Sequence, residues 1–202
     1  MIRICSIEKN DRKVIDEIVE IHLETFEGFF LTFMGRGFLK QMYSSYCTHG
    51  FSDILVAFDE NDKTVGFVAY SGDISGLYKH MIKTRLVSFA WFSLGAFFRK
   101  PTVFMKLVRA FLKPSESARA EEYVELASIG VKPCNKSSGI GSKLIDALKT
   151  RVDFDKYSYI ALETDAVNNA AANSFYLKNG FVLEKEFETH EGRKMNEYRY
   201  RG

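Results

Sequence analysis

The stretch KPCNKSSGIGSKL, residues 132–144, decides how this chain is read. An apolar run, YVELASIGV at 123–131, leads into it. An amphipathic segment with Ile140, Leu144, Leu148 and Val152 at i, i+4 spacing leads out. That order predicts strand, glycine-rich turn, helix. The first N–H groups of a helix have no intrahelical partner, and the helix dipole adds partial positive charge there. Gly139 and Gly141 remove Cβ atoms from the approach. A phosphate or pyrophosphate is the ligand such a turn suits, and an ordinary strand-to-helix connection is the plainer alternative. The GxxxxGK[ST] phosphate loop is absent. The GxGxxG dinucleotide fingerprint lacks its third glycine, because Ser142 and Lys143 follow Gly141.

Outward from this stretch, periodicity predicts the remaining elements. Residues 2–7 alternate as an opening strand. DRKVIDEIVEIHLETF, 11–26, places Val14, Ile15, Ile18, Ile21, His22 and Phe26 at helical spacing. Three glycines interrupt the pattern before a shorter helix at 38–47. SDILVAFDENDKTVGFVAYSG, 52–72, is a hairpin turning at 59–63. YSYIALET, 157–164, is a further strand, and NNAAANSFYLKNG, 168–180, a helix stopped by Gly180. FVLEKEFE and RKMNEYRYR, 181–188 and 193–201, close the chain as an antiparallel pair.

Two of these stretches carry a family pattern. Lys136-Ser137-Ser138-Gly139-Ile140-Gly141 resembles the [QR]xxGx[GA] pyrophosphate signature of the GNAT superfamily of acyl-coenzyme-A-dependent N-acyltransferases. Asn169, Ala172, Tyr176, Gly180 and Phe181 are similar to that family's later N-x-x-A-x-x-x-Y-x-x-x-G-F motif. The resemblance is strong over residues 122–183 and rests on element order alone over 1–72. It departs at Lys136, where the family usually has Gln or Arg. Lysine keeps the charge and loses the planar fork, which bears on affinity.

The resemblance implies an α/β (α+β) fold: a mixed, mostly antiparallel central sheet flanked by helices, with a helical insertion between the third and fourth strands. It implies one domain over 1–202, and direct acetyl transfer from acetyl-coenzyme A to an amine without a metal. It also implies a cofactor cradle of Ser137, Ser138, Gly139, Ile140, Gly141 and Ser142, with Lys136 beside it. Ile129 and Val131 would offer backbone groups to the pantetheine amides. Asn169 would contact the pantetheine arm as well as cap its helix. Glu125, eleven residues before Lys136, matches a general base of the histone-acetylating branch, against the plainer reading of a solvent-facing strand-end glutamate. Glu122 is a weaker alternative, and Glu163 and Asp165, at the end of the next strand, would orient the acceptor amine or simply cap the loop. Tyr176 matches the tyrosine that protonates the departing thiolate, against the plainer reading of a core aromatic.

FEGFFLTFMGRGFLKQMY, 26–43, loosely resembles a branch acting in bacterial surface-polysaccharide chemistry, and a small amine such as an amino sugar is the expected acceptor. A protein N-terminus or lysine, or a non-catalytic acetyl-coenzyme-A-binding module, are the alternatives. Residues 74–115 carry Lys79, Lys83, Arg85, Arg99, Lys100, Lys106, Arg109 and Lys113, no acidic residue, and the apolar run LVSFAWFSLGAFF. Two helices separated near Pro101 are expected. They would serve as a cover for an anionic acceptor, an interfacial helix on anionic lipid, or a homodimer contact.

Composition bounds the rest. An apolar fraction of 46% and a charged fraction of 27% are those of a globular domain; a net charge of +2 argues neither for nor against nucleic acid, and no nucleic-acid partner is expected. Cys5, Cys47 and Cys134 are too scattered for a disulfide framework or zinc ribbon and fit a reducing cytoplasm. His22, His49, His80 and His190 show no metal-ligand spacing and are expected to be surface or lightly packed. No signal peptide is visible, and 86–98 is too short to span a bilayer.

Overall fold

A computed structural model describes residues 2–7, 11–26, 28–99, 101–102, 121–189 and 192–202. They form one seven-stranded sheet, in the order β1-β2-β3-β4-β5-β7-β6. The elements in chain order are β1 (Arg3–Ser6), α1 (Arg12–Thr25), α2 (Phe30–Met34), α3 (Arg36–Tyr46), β2 (Ser52–Phe58), β3 (Thr64–Ser71) and α4 (Ile74–Arg99). After it come β4 (Val124–Val131), α5 (Ile140–Arg151), β5 (Ile160–Asp165), α6 (Ala170–Lys178), β6 (Val182–Glu188) and β7 (Lys194–Tyr200). Every neighbouring pair is antiparallel except β4 with β5. That is the sheet the sequence implied, with α4 inserted between the third and fourth strands.

Both faces of the sheet are covered. In β2, Ile54, Val56 and Phe58 join one core with Ile18 of α1, Tyr43 of α3 and Leu77 of α4. Leu55 and Ala57 join the other core with Leu144 and Leu148 of α5 and Tyr176 of α6. A strand buried on both faces reads as a continuous apolar run, as β2 does. Asp11 starts α1 by accepting a hydrogen bond from the Val14 N–H at 3.1 Å.

The structure differs from the expectation in two places. The glycine-rich break contains a short helix, α2, which Gly35 (φ 88°) separates from α3. His22 is only 2% exposed, not surface or lightly packed. The segment after the hairpin opens, as expected, with a helix that ends before Pro101, here 26 residues long. The second helix expected beyond Pro101 lies outside the described residues. So do Lys100, Lys106, Arg109, Lys113 and His190.

Candidate active site

Strand β4 positions the site because it is paired differently along its two edges. Toward β3 it is matched from Glu125 to Val131, with partners stepping from Ala69↔Ser128 to Tyr70↔Leu126. Ala127 is left over as a β-bulge and is exposed. Toward β5 it is matched only at Val124↔Ile160 and Glu125↔Ala161. Beyond Glu125 the two parallel strands part. The Lys132 N–H donates to the Val65 carbonyl. By the alternation of an antiparallel ladder, Ile129 and Val131 turn their backbone groups to the opposite, open edge. The Val131 carbonyl there accepts from the Thr25 hydroxyl at 3.4 Å.

The glycine turn lies at the end of that open edge. Pro133–Asn135 forms a single 3-10 turn, Ser137 holds φ 66° and Gly139 φ 78°, and α5 begins at Ile140. No side chain caps α5. Its first N–H groups are therefore left for solvent or a ligand. The two glycines differ in what they face. A Cβ at Gly139 would meet nothing within 4 Å, whereas one at Gly141 would lie 3.1 Å from the Phe175 ring of α6. Gly139 keeps the approach open, and Gly141 lets the two helices close on each other. Lys136, Ser137 and Ser138 are exposed around the turn, Ser142 is half-buried, and the Ile140 side chain is in the core.

The second motif sits across the open edge. Asn169 occupies the N-cap position of α6, but its side chain does not cap the helix. Its Nδ2 donates to Thr164 Oγ1 of β5 at 2.7 Å. The residue that ties this end together is Asn173, which the sequence reading missed. Its Nδ2 donates to the Asp165 and Asn169 carbonyls, and its Oδ1 accepts from Asn196 Nδ2 and the Tyr198 hydroxyl, both at 2.8 Å. Tyr176 packs against Phe175, Phe181 and Tyr198, and burial pushes its hydroxyl up to about 12. It thus combines the core role and a protonated hydroxyl.

Glu125 stands where β4 and β5 part, half-buried. Its charge is felt by two tyrosines that sequence reasoning did not single out. Burial first, and then the charges of Glu125 and Glu163, hold the Tyr78 hydroxyl above its ordinary range. Tyr46 is raised by burial, then by Tyr78 and Glu125. Glu125 also lines a cleft of about 160 Å³ with Asp73, Glu121, Glu122, Tyr123 and the start of α4. A second cleft of about 330 Å³ shares Gly72, Asp73 and Glu122 with it. Asp73 is held in place by accepting from the Gly76 N–H at 2.7 Å.

A third polar feature reaches β4 from beneath. His22 Nδ1 and the Tyr43 hydroxyl are 2.7 Å apart, and that hydroxyl is 3.4 Å from Ser128 Oγ of β4. His22 Nε2 is sealed without a partner. Burial pushes the His22 imidazole down to about 4. Among the described residues no group of three or more potential metal ligands occurs. No helix among them is long and apolar enough to cross a membrane.

Comparison with known proteins agrees with this geometry. The model of the acetyltransferase (GNAT) domain matches residues 108–183, which hold the open edge, the turn and the second motif. No curated protein matches the chain in sequence. A protein from Desulfovibrio desulfuricans, described as an acetyltransferase of the GNAT family, is similar in structure with a TM-score of 0.62 at 16% identity, over 100% of this chain and 99% of its own. A Corynebacterium glutamicum structure described as histone acetyltransferase HPA2 and related acetyltransferase gives 0.62 at 14% identity, over 100% and 97%. Arabidopsis thaliana NAA60, solved in complex with acetyl-CoA, gives 0.59 at 13%, over 100% and 98%. At such identities the structural likeness speaks for the fold, and the domain match speaks for residues 108–183: the chain carries a GNAT acetyltransferase domain on a GNAT fold.

Proposed function

We propose that this protein transfers an acetyl group from acetyl-coenzyme A to the primary amine of a small, cationic acceptor. The observation that carries the reading is the parting of β4 from β5 at Glu125, with the uncapped start of α5 at the far end of the same open edge. The pyrophosphate would lie on the N–H groups after Gly139, with Lys136, Ser137, Ser138 and Ser142 around it. The pantetheine arm would run along Ile129 and Val131 as an added strand does, passing Asn169 on the other side. The thioester would then reach Glu125.

The chemistry asks for little more. Glu125, directly or through a water, takes a proton from the acceptor ammonium. The amine attacks the thioester carbonyl; a C–N bond forms and the C–S bond breaks. The thiolate takes a proton from Tyr176, which at about 12 rests protonated at any physiological pH, and Tyr176 regains one, directly or through water, as the newly acylated nitrogen loses its second proton. The carboxylates of Asp73, Glu121, Glu122 and Glu125 around the cleft suit an ammonium group. They suit a phosphate-bearing acceptor poorly. The second cleft, about 330 Å³, is at the lower end of small-molecule size, and the first, about 160 Å³, opens beside it. An amino sugar without a nucleotide fits these terms.

The test is calorimetric titration of acetyl-coenzyme A into the purified protein, with dephospho- and desulfo-coenzyme A beside it, followed by an amine screen read as thiol release. Binding that weakens without the phosphates, and turnover with a cationic amine, support the reading. No binding at millimolar cofactor ends it.

A further inference from the structure

We propose that the outward face of α4 seats on the surface of an anionic lipid bilayer. One face of α4 is fully accounted for. Leu77 and Met81 are buried in the core, and Phe89 meets Phe38 of α3 edge-on at 4.8 Å. Arg85 donates to Gln41 Oε1 at 2.8 Å. Phe92 lies directly over the α3 backbone at Gly37, where any Cβ would collide with its ring. The helix is therefore anchored to α3 between Arg85 and Phe92.

The opposite face is a stripe of Lys79, Lys83, Val87, Trp91, Leu94 and Phe98, spaced three or four residues apart and exposed throughout. Val87 is 83% exposed, Trp91 69% and Phe98 77%. Scattered apolar side chains on a surface need no explanation, but an aligned aromatic stripe on one helix does. Its order is also informative. The bases stand at the end near the sheet, and the apolar and aromatic residues occupy the outer half. The segregation runs along the helix axis, so the outer half would enter the headgroup boundary while Lys79 and Lys83, one to two turns from its start, stay in the phosphate layer.

Charge selects the occupant. Within α4 the sequence holds Lys79, Lys83, Arg85 and Arg99 and no Asp or Glu. A second copy of this helix would bring Lys79 and Lys83 against an equally basic surface, with no carboxylate on the helix to pair them. An anionic bilayer meets both halves of the stripe. The helix is not apolar enough to cross a membrane, so it rests on the surface. It leaves the sheet at the acceptor cleft, which Ile74 and Ser75 help to line. Its 26 residues reach about 39 Å, so the cleft would work close to that surface.

Trp91 is the chain's one tryptophan, which makes the test direct. The full chain is mixed with vesicles of phosphatidylcholine, with and without phosphatidylglycerol. With anionic vesicles, Trp91 emission is expected to shift to the blue and the protein to sediment with the lipid. With phosphatidylcholine alone, binding is expected to be at least about tenfold weaker, each basic residue near the surface adding to affinity. Raised salt should weaken binding to the anionic vesicles. Val87→Glu with Leu94→Glu, both at exposed positions, should lose vesicle binding at least tenfold while acetyl-coenzyme A titrates as before. Unchanged Trp91 emission with anionic vesicles overturns the proposal, as does equal binding to neutral ones. A concentration-dependent dimer that the same double variant dissociates would overturn it too, and give the face to a second copy.

Discussion

At its far end β4 runs into residues 132–139, where what matters is backbone: the turn at Ser137 and Gly139, and the bare N–H groups that open α5. At its near end β4 borders a cleft made of side chains. Asp73 comes from just after β3, Glu122 from just before β4 and Glu125 from β4 itself, and the charges of Glu125 and of Glu163 on β5 bear on Tyr78 of α4 nearby. A backbone site depends on a few φ angles and tolerates exchange of side chains around it. A side-chain site depends on which residues several distant elements bring together. The first end would hold what every relative shares. The second would hold what tells one acceptor from another.

The largest effect expected from this contrast is at the backbone end. Gly139→Asp puts a carboxylate where the phosphates would sit. Its Cβ would meet nothing within 4 Å, and aspartate tolerates the left-handed backbone better than most residues. The fold should survive, read by circular dichroism. Affinity for acetyl-coenzyme A should fall by about 100-fold or more through charge and occupancy at the helix N-terminus. Lys136→Ala, which removes only a side chain at the same end, should cost far less. If the two variants lose affinity equally, the turn is not a backbone site.

At the cleft the expected pattern is reversed. Glu125→Gln should leave acetyl-coenzyme A affinity unchanged and lower kcat by about 100-fold, the usual share of a positioned base. A rise in cofactor Kd matching the fall in kcat would make Glu125 part of the backbone end's work instead.

These two ends were also unequally legible in the sequence. Spacing alone placed the turn, because a strand, a glycine and an amphipathic helix must follow one another in the chain. The order of elements could likewise be read from period. The cleft could not. Asp73 reaches Glu122 only because the hairpin returns beside β4, and no local pattern records that. The bulge at Ala127, which follows from a one-residue step in register, left no mark either. Asn169 was read as a cap because it precedes a helix. Its side chain bonds Thr164, while Asn173, one turn on, bridges α6 to β5 and β7. His22 fell within a helical apolar stripe, which is the one sequence sign that it would be buried.

Tyr176, packed beside Phe175 on α6, belongs to neither end by its contacts. Tyr176→Phe keeps the ring contacts with Phe175, Phe181 and Tyr198 and deletes only the hydroxyl. Turnover should fall by about tenfold, at the low end of what a general acid contributes, with stability and cofactor affinity held. The loss should be uniform from neutral pH up to about 10, because the hydroxyl does not ionise below about 12. Unchanged turnover would return Tyr176 to the core.

The smallest effect concerns the support beneath the cleft side of β4. His22 is kept neutral in the fold down to about 4, against an ordinary value of 6.5. As pH falls below 6.5 the unfolded chain takes up the proton and the folded protein does not, so stability declines until the folded imidazole also titrates. Near pH 5.5 this should cost about 1.2 kcal/mol relative to neutral pH. His22→Asn offers an amide where Nδ1 met the Tyr43 hydroxyl and takes up no proton. Urea melts at the two pH values should show a shallower acid decline for the variant by that amount, whatever its stability at neutral pH. Equal declines would mean that the imidazole is hydrated and that Tyr43 and Ser128 are held by packing alone. A shallower decline would show β4 resting, on this face, on a polar pair that only a sealed core keeps neutral.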